Sequence, residues 1–299
     1  MFYPLLAAAM CTFGFTGLAA SAAPQPTCDG KRATIVGTDG NDQLRLTSAD
    51  DVVVAGAGDD FVMPAIGKDT TKGNDTICLG AGNDRMLGLS DRLTVFGGPG
   101  KDNLVMWSSA TIYAGDDNDT VQMESGGIVD GGKGNDDIKS YKGAVADVTF
   151  NGDEGDDTIV GSHSRDHNTL NGGPGNDRIS SEGGHGMGTD RDIVHGGPGN
   201  DRIEGEGGSD VLYGDDGNDT LCGYHFFGAK CADGEQGKST DVLDGGKGND
   251  ALYGASLPRQ GLSRDQADGG QDHDQCFDFQ KARAKNCEDL YQHGRLVTS

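Results

Sequence analysis

Three nine-residue units lie end to end between Gly196 and Cys222: GGPGNDRIE, GEGGSDVLY and GDDGNDTLC. In each, position 1 is Gly (Gly196, Gly205, Gly214), position 4 is Gly, position 6 is Asp (Asp201, Asp210, Asp219) and position 8 is aliphatic (Ile203, Leu212, Leu221). Glycine accepts φ > 0 without steric cost, so the first six residues predict a tight turn with exposed carbonyls. The last three predict a short strand whose position-8 side chain points into a core. Two units close one coil of about 18 residues, and each turn then stacks on the turn two units away. Stacked carboxylates and carbonyls offer only oxygen donors, the set that a hard cation such as calcium takes in groups of six to eight.

The same phase extends both ways. It reads GTDGNDQL from Gly37, AGAGDDFV ending at Val62, LGAGNDRML from Leu79, GGPGKDNLV from Gly97 and AGDDNDTV from Ala114. GGKGNDDI at Gly131, GDEGDDTI at Gly152, GGPGNDRI at Gly172, GGKGNDALY at Gly245 and GGQDHDQCF at Gly269 continue it. The stretches between keep an apolar position 8 (Val95, Tyr113, Val129, Phe150, Leu170, Val194, Leu243, Ala267) but lose much of the motif. Val148 stands where an Asp is due, whereas Asp192, Asp241 and Asp265 are retained. One well-formed cation edge and one patchy edge are therefore expected, with insertions at Ser162–Asn168, Glu182–Met187 and Gly223–Ser239 leaving from the patchy side. The candidate metal ligands are Asp42, Asp60, Asp75, Asp84, Asp102, Asp119, Asp136, Asp157, Asp177, Asp201, Asp210, Asp219, Asp250 and Asp274, with Asp75 and Asp210 on the patchy edge. Asp117 and Asp272 replace the position-4 Gly in two units.

The expected fold is all-β: a right-handed parallel β-roll or β-helix solenoid of about 18-residue coils with a short C-terminal cap. Its core is thin, about one inward side chain per unit, so several Ca2+ ions are expected to complete it and to couple folding to binding. Composition agrees: Gly is 52 of 299 residues, aromatics are 6% and the net charge is −24. That charge repels nucleic acid and anionic membranes and opposes compaction of the bare chain.

Residues 1–23 hold an apolar run, Leu5 to Ala20, and end in small residues, which reads as a cleaved secretory signal rather than a membrane span. Residues 24–33 read as an N-terminal linker or cap, 34–276 as the roll, and 277–299, where the periodicity stops, as a C-terminal cap. Outside the signal six cysteines remain, an even number that suggests disulfides in an exported chain. Spacing favours Cys222–Cys231 and Cys276–Cys287, with Cys28–Cys78 by elimination. No H-E-x-x-H, G-x-S-x-G or EF-hand loop occurs, so no enzyme is expected. His163, His167 and His185 read as solvated loop residues. The aromatic segment between Cys222 and Cys231, with Tyr224, His225, Phe226 and Phe227, is the best candidate for a partner or glycan contact.

From Gly37 to Asp274 the chain resembles the haemolysin-type, or RTX-like, calcium-binding repeat family. The segment from Cys28 to Thr38 is similar to the entry of its small exported bacterial members, whose ends often carry a cysteine pair resembling Cys276 and Cys287. The resemblance implies that the position-6 aspartates are calcium ligands completed by turn carbonyls, and that export here uses the general secretory pathway. The expected function is a secreted calcium-binding module, structural or interacting with an unknown extracellular partner such as a cell surface or glycan. The alternatives are a calcium-dependent polysaccharide-acting enzyme and an adhesin-like recognition module. Some similar rolls bind ice through Thr and Asn ladders. Here position 3 is mixed and charged (Asp39, Lys133, Lys247), so the recurrent position-5 Asn is assigned to turn geometry.

Overall fold

A computed structural model describes residues 25–66, 73–90, 92–140, 147–162, 167–181, 191–227, 230–231, 240–254, 265–279, 283–292 and 295–297. The expected signal at 1–23, and His163 and His185, lie outside the described residues. The main strands form two long parallel sheets, one of 13 strands from Ile35–Val36 to Ala284–Lys285 and one of 14 that starts at Gln43–Arg45. The chain visits them alternately, so each coil gives one strand to each sheet. The register is continuous, Val95↔Ile112↔Val129↔Phe150 in one sheet and Leu104↔Val121↔Ile138↔Ile159 in the other. These residues face each other across the core and are fully buried. The fold is the all-β parallel solenoid that the repeat predicts, and no described residue lies in an α-helix.

The two edges differ in how they tolerate length. As far as Cys276, nine residues carry the chain from an inward residue of the 13-stranded sheet to the next one in the 14-stranded sheet; the capping coil takes six, Ala284 to Leu290. Ile35 leads to Leu44, Ile77 to Met86, Val194 to Ile203, Leu243 to Leu252 and Ala267 to Cys276. The return path runs from eight residues (Leu104 to Ile112) to 22 (Leu221 to Leu243). The expected insertions fall in sequence within these return paths; Glu182–Met187 lies outside the described residues, as do 163–166, 228–229 and 232–239 of the other two. A one-residue slip on the first edge would turn every strand side chain to the wrong face, which is why its length is fixed.

Two expectations about the core need correction. Tyr113 is not inward: it is 42% exposed, and Ile112 is the buried residue. Strand side chains alternate, so the inward position is two residues before the turn at Ala114, not one. Nor is the core one side chain per unit throughout. On the second edge, Leu93, Ala110, Gly127 and Val148 share the register position that Asp75 holds one coil earlier. Met106 and Met123 pack beside them, both fully buried. Sizes alternate in compensation: Gly88 leaves room for Leu93, and Met123 fills the space over Gly127.

The ends are tied down. An antiparallel hairpin, Thr27–Cys28 with Lys31–Arg32, is joined to the third coil by Cys28–Cys78. Beyond Phe277, Ala284–Lys285 and Asp289–Gln292 add one shorter coil, on which Arg295–Leu296 folds back antiparallel. Cys276–Cys287 fastens that coil, and Phe277 stacks between Tyr253 and Tyr291 at 4.5 and 4.9 Å. Cys222–Cys231 closes the third bridge, so all three expected pairings are present.

Candidate calcium edges

On the first edge, twelve of the fourteen candidate aspartates form one ladder. The backbone N–H of each donates to Oδ1 of its counterpart one coil on, at 2.7–2.9 Å, from Asp42 and Asp60 through to Asp250 and Asp274. Asp274 N–H ends the series on Glu288 Oε2 at 2.8 Å. Oδ1 is therefore committed to joining coils, and Oδ2 is the oxygen left for other chemistry.

That second oxygen points into the turn, where position 1 explains its glycine. A Cβ on Gly172 would stand 2.2 Å from Asp177 Oδ2 and 2.4 Å from the carbonyl oxygen of Gly196. At Gly196 the corresponding distances are 2.3 Å to Asp201 Oδ2 and 2.8 Å to Gly214 O. At the nine ladder turns that open with glycine the carboxylate oxygen and the next coil's carbonyl thus converge over a bare Cα, whereas Ala55, Leu79 and Ala114 hold this position before Asp60, Asp84 and Asp119. From Asp60 to Asp274, eleven consecutive ladder aspartates keep Oδ2 buried with no hydrogen-bond donor. Burial is the leading cause of their raised pKa values, about 6 at Asp84, Asp157, Asp201 and Asp250, about 7 at Asp102, Asp136 and Asp177, and about 8 at Asp119 and Asp219.

The second edge carries a shorter ladder in two pieces. Asp51 N–H donates to Asp75 Oδ1 at 2.9 Å, and Asp75 Oδ2 takes the Ser90 hydroxyl. Further along, Asn168, Asp192, Asp210, Asp241 and Asp265 repeat the first edge's pattern at 2.7–2.9 Å. Between the pieces lies the apolar stretch from Leu93 to Val148. At Asn168 an amide replaces the carboxylate, and its Nδ2 donates to Ser162 O at 3.3 Å and Ser181 O at 3.1 Å. A donor there closes the turn with no metal.

These geometries meet the comparisons with known proteins. The sequence model of the RTX calcium-binding nonapeptide repeat (4 copies) matches residues 36–71, 69–92, 146–166, 151–187, 188–221 and 237–256, just over half of the chain. The chain belongs to this RTX repeat family. No curated protein matches its sequence. Among solved structures, it is similar to the "X-ray crystal structure of a hyperactive, Ca2+-dependent, beta-helical antifreeze protein from an Antarctic bacterium". That likeness has 17% identity and a TM-score of 0.53, and it covers 87% of this chain and 94% of that one, a likeness of fold.

The residues fit the calcium of an RTX roll. The donor set is all oxygen, and the converging pair at Gly172 lies less than about 5 Å apart, within reach of one ion at the 2.3–2.6 Å bonds of calcium. Bound calcium supplies the positive charge that the buried Oδ2 atoms lack. The two ends of the ladders differ. Thr38 satisfies Asp42 Oδ2 through its N–H at 2.6 Å and hydroxyl at 2.8 Å, and Thr47 does the same for Asp51 at 2.6 and 2.9 Å. Asp51 was missed by motif reading because Leu46, Thr47 and Ala49 hold its glycine positions. Its signal is spacing alone: it stands nine residues from both Asp42 and Asp60. Asp117 and Asp272 keep the left-handed turn of the glycine they replace, at φ 79° and 81°. The position-5 asparagines brace the turns: Asn176 Oδ1 accepts the Asn200 N–H, and Asn200 Oδ1 that of Asn218, at 3.0 and 2.9 Å. His167 lends its N–H to Asp147 Oδ1 at 2.7 Å. The loop closed by Cys222–Cys231 contains a short antiparallel pair, Phe226–Phe227 with Lys230–Cys231.

Proposed function

We propose that this RTX chain is an exported protein whose roll, residues 34–276, folds on calcium and serves outside the cell as a structural or interaction module. The N-terminal 23 residues act as its export signal, and both ladders supply its calcium ligands. The observation that carries the reading is the run of eleven buried Oδ2 atoms without a donor. A buried acceptor left unmade costs about 1–3 kcal/mol, and more when charged. A fold that repeats this at every coil has a cation as its missing partner. Native mass spectrometry of the chain from residue 24, dialysed against millimolar calcium, tests it. The expected result is a series of bound calcium ions, about one per gap of the first ladder. A mass equal to the metal-free chain overturns the reading. Export is tested separately, by the retention of a chain lacking residues 1–23 inside cells that release the full chain. The three disulfides and the calcium repeats are consistent with an extracellular setting.

A second reading rests on the outer face of the 13-stranded sheet. One row on the outer side of that sheet reads Val52, Thr76, Thr94, Thr111, Ile128, Thr149, Thr169, Ile193, Val211 and Val242, without a charge over ten coils, with Thr76 and Val211 buried and the others at least partly exposed. The matching row of the other sheet includes Arg85, Asp137, Arg178 and Arg202. A flat row of hydroxyl and methyl groups suits a flat ordered surface, and the similar antifreeze β-helix makes ice the first to try. Thermal hysteresis of the calcium-loaded chain that is lost in Thr111→Lys supports this use. No hysteresis removes it.

A further inference from the structure

Outside the two ladders, one cluster has a different chemistry. Glu204 ends the strand Arg202–Glu204 at an outward position. Glu206 follows in a left-handed conformation, φ 59°, and donates its N–H to Tyr224 O at 3.0 Å, which sets His225 of the next coil above it. Cys222, three residues before His225, is tied to Cys231 across the loop. His225 Nδ1 lies 2.9 Å from Glu204 Oε2 and 2.5 Å from Glu206 Oε1. One donor atom from each residue falls within 4.8 Å of the others, and among the described residues this is the sole such group of three. The other paired histidines, His195 with Asp215 and His273 with Asp289, meet one carboxylate each.

We propose that Glu204, Glu206 and His225 form a site for a divalent transition ion, with zinc as the type case. The calcium edges offer oxygens alone, whereas this cluster adds an imidazole nitrogen, which zinc and its neighbours bind at about 2.0–2.1 Å beside carboxylates at 2.0–2.2 Å. Ligands on one such ion stand about 3 Å apart, so the two contacts of His225 need open by well under 1 Å. The two glutamate side chains are 11% exposed and His225 is 41% exposed, so the two carboxylates are largely covered and the imidazole borders solvent. Arg202 Nε stands 3.7 Å from Glu204 Oε1, while Oε2 is the oxygen 2.9 Å from His225 Nδ1. The competing occupant is a proton on Nδ1, shared as an ion pair with both carboxylates. A bound ion displaces that proton and staples the disulfide-closed loop to the preceding coil.

The test uses the untagged chain from residue 24, disulfides intact, in excess calcium so that the carboxylate ladders are filled. Zinc chloride is titrated by calorimetry and cobalt chloride by visible absorption. The expected result is one saturable ion and a cobalt d–d band. His225→Gln and Glu206→Gln should each weaken binding at least tenfold, while His273→Gln leaves it unchanged. Absence of saturable binding, or equal binding in His225→Gln, overturns the site and leaves an ion pair. Should a variant lose its β signal, diethyl pyrocarbonate modification of the unaltered chain decides: zinc protects His225 if the site exists, and undiminished reactivity overturns it.

Discussion

At Asp177 the two carboxylate oxygens have separate work. Oδ1 accepts the Asp157 N–H at 2.8 Å, and Oδ2 is buried over Gly172 with no donor. Asn168 shows the neutral solution to the same problem, its Nδ2 reaching two carbonyls. A reciprocal pair of variants follows. Asn168→Asp should cost about 1–3 kcal/mol in chelator, the cost of a buried group without partners, with most of it recovered in calcium. Asp177→Asn should lower the number of bound calcium ions while leaving the chelated chain no less stable. Denaturant titrations with and without calcium measure both, and equal cost in the two conditions for Asn168→Asp would speak against a cation at this register. Gly196→Ala places a Cβ 2.3 Å from Asp201 Oδ2 and should destabilise by about 1–3 kcal/mol. Acidity has a definite sign. The nine ladder aspartates from Asp84 to Asp250 have folded pKa values raised, chiefly by burial, to about 6 to 8. The calcium-free roll therefore binds protons that the unfolded chain releases above about pH 4, and its stability falls as pH rises from about 4 to 8. Calcium needs the same groups ionised, so its affinity should rise over that window. Unfolding midpoints in chelator at pH 5 and pH 8, beside calcium titrations at both, check the two signs together.

Individual strands and turns show what a repeat reveals and what it hides. The first edge was legible because once per coil its turns place aspartate where coils are joined and, at most turns, glycine where no Cβ fits. The second edge was legible only where it copies that pattern, at Asp75, Asp192, Asp210, Asp241 and Asp265. Its apolar stretch was not, because Met123 over Gly127 and Leu93 beside Gly88 are matched in volume, and matched volumes leave no motif. Ile112 was misplaced onto Tyr113 because a 17-residue coil shifts the count by one. Glu206 and His225 were not legible as neighbours, since only coil register brings together residues nineteen apart. The apolar stretch carries its own prediction. Met123→Ala should cost about 2–5 kcal/mol by opening a cavity, and equally in calcium and in chelator. A cost that vanishes without calcium would tie Met123 to the metal edge instead. The Cys28–Cys78 bridge spans 50 residues. Replacing both cysteines by serine should lower stability by up to about 4 kcal/mol, read from denaturant midpoints in calcium.

For the whole molecule, the net charge of −24 and the carboxylate ladder pull in one direction. Without cations, like charges stack along one edge of a narrow core, and ionised carboxylates sit buried without donors. With calcium, the same oxygens join neighbouring coils, and ions shared between turns should make folding cooperative along the stack. Millimolar calcium outside a cell suits sites of moderate affinity, so folding would follow export. No helix among the described residues is long and apolar enough to cross a membrane. The most direct measurement is far-UV circular dichroism of the chain from residue 24, disulfides intact, at pH 8 in chelator, then in rising calcium, then in magnesium. Calcium-gated folding predicts a largely coil spectrum in chelator, a cooperative gain of β signal with calcium, and no equivalent gain with magnesium. A full β spectrum in chelator, or magnesium acting as well as calcium, would contradict it.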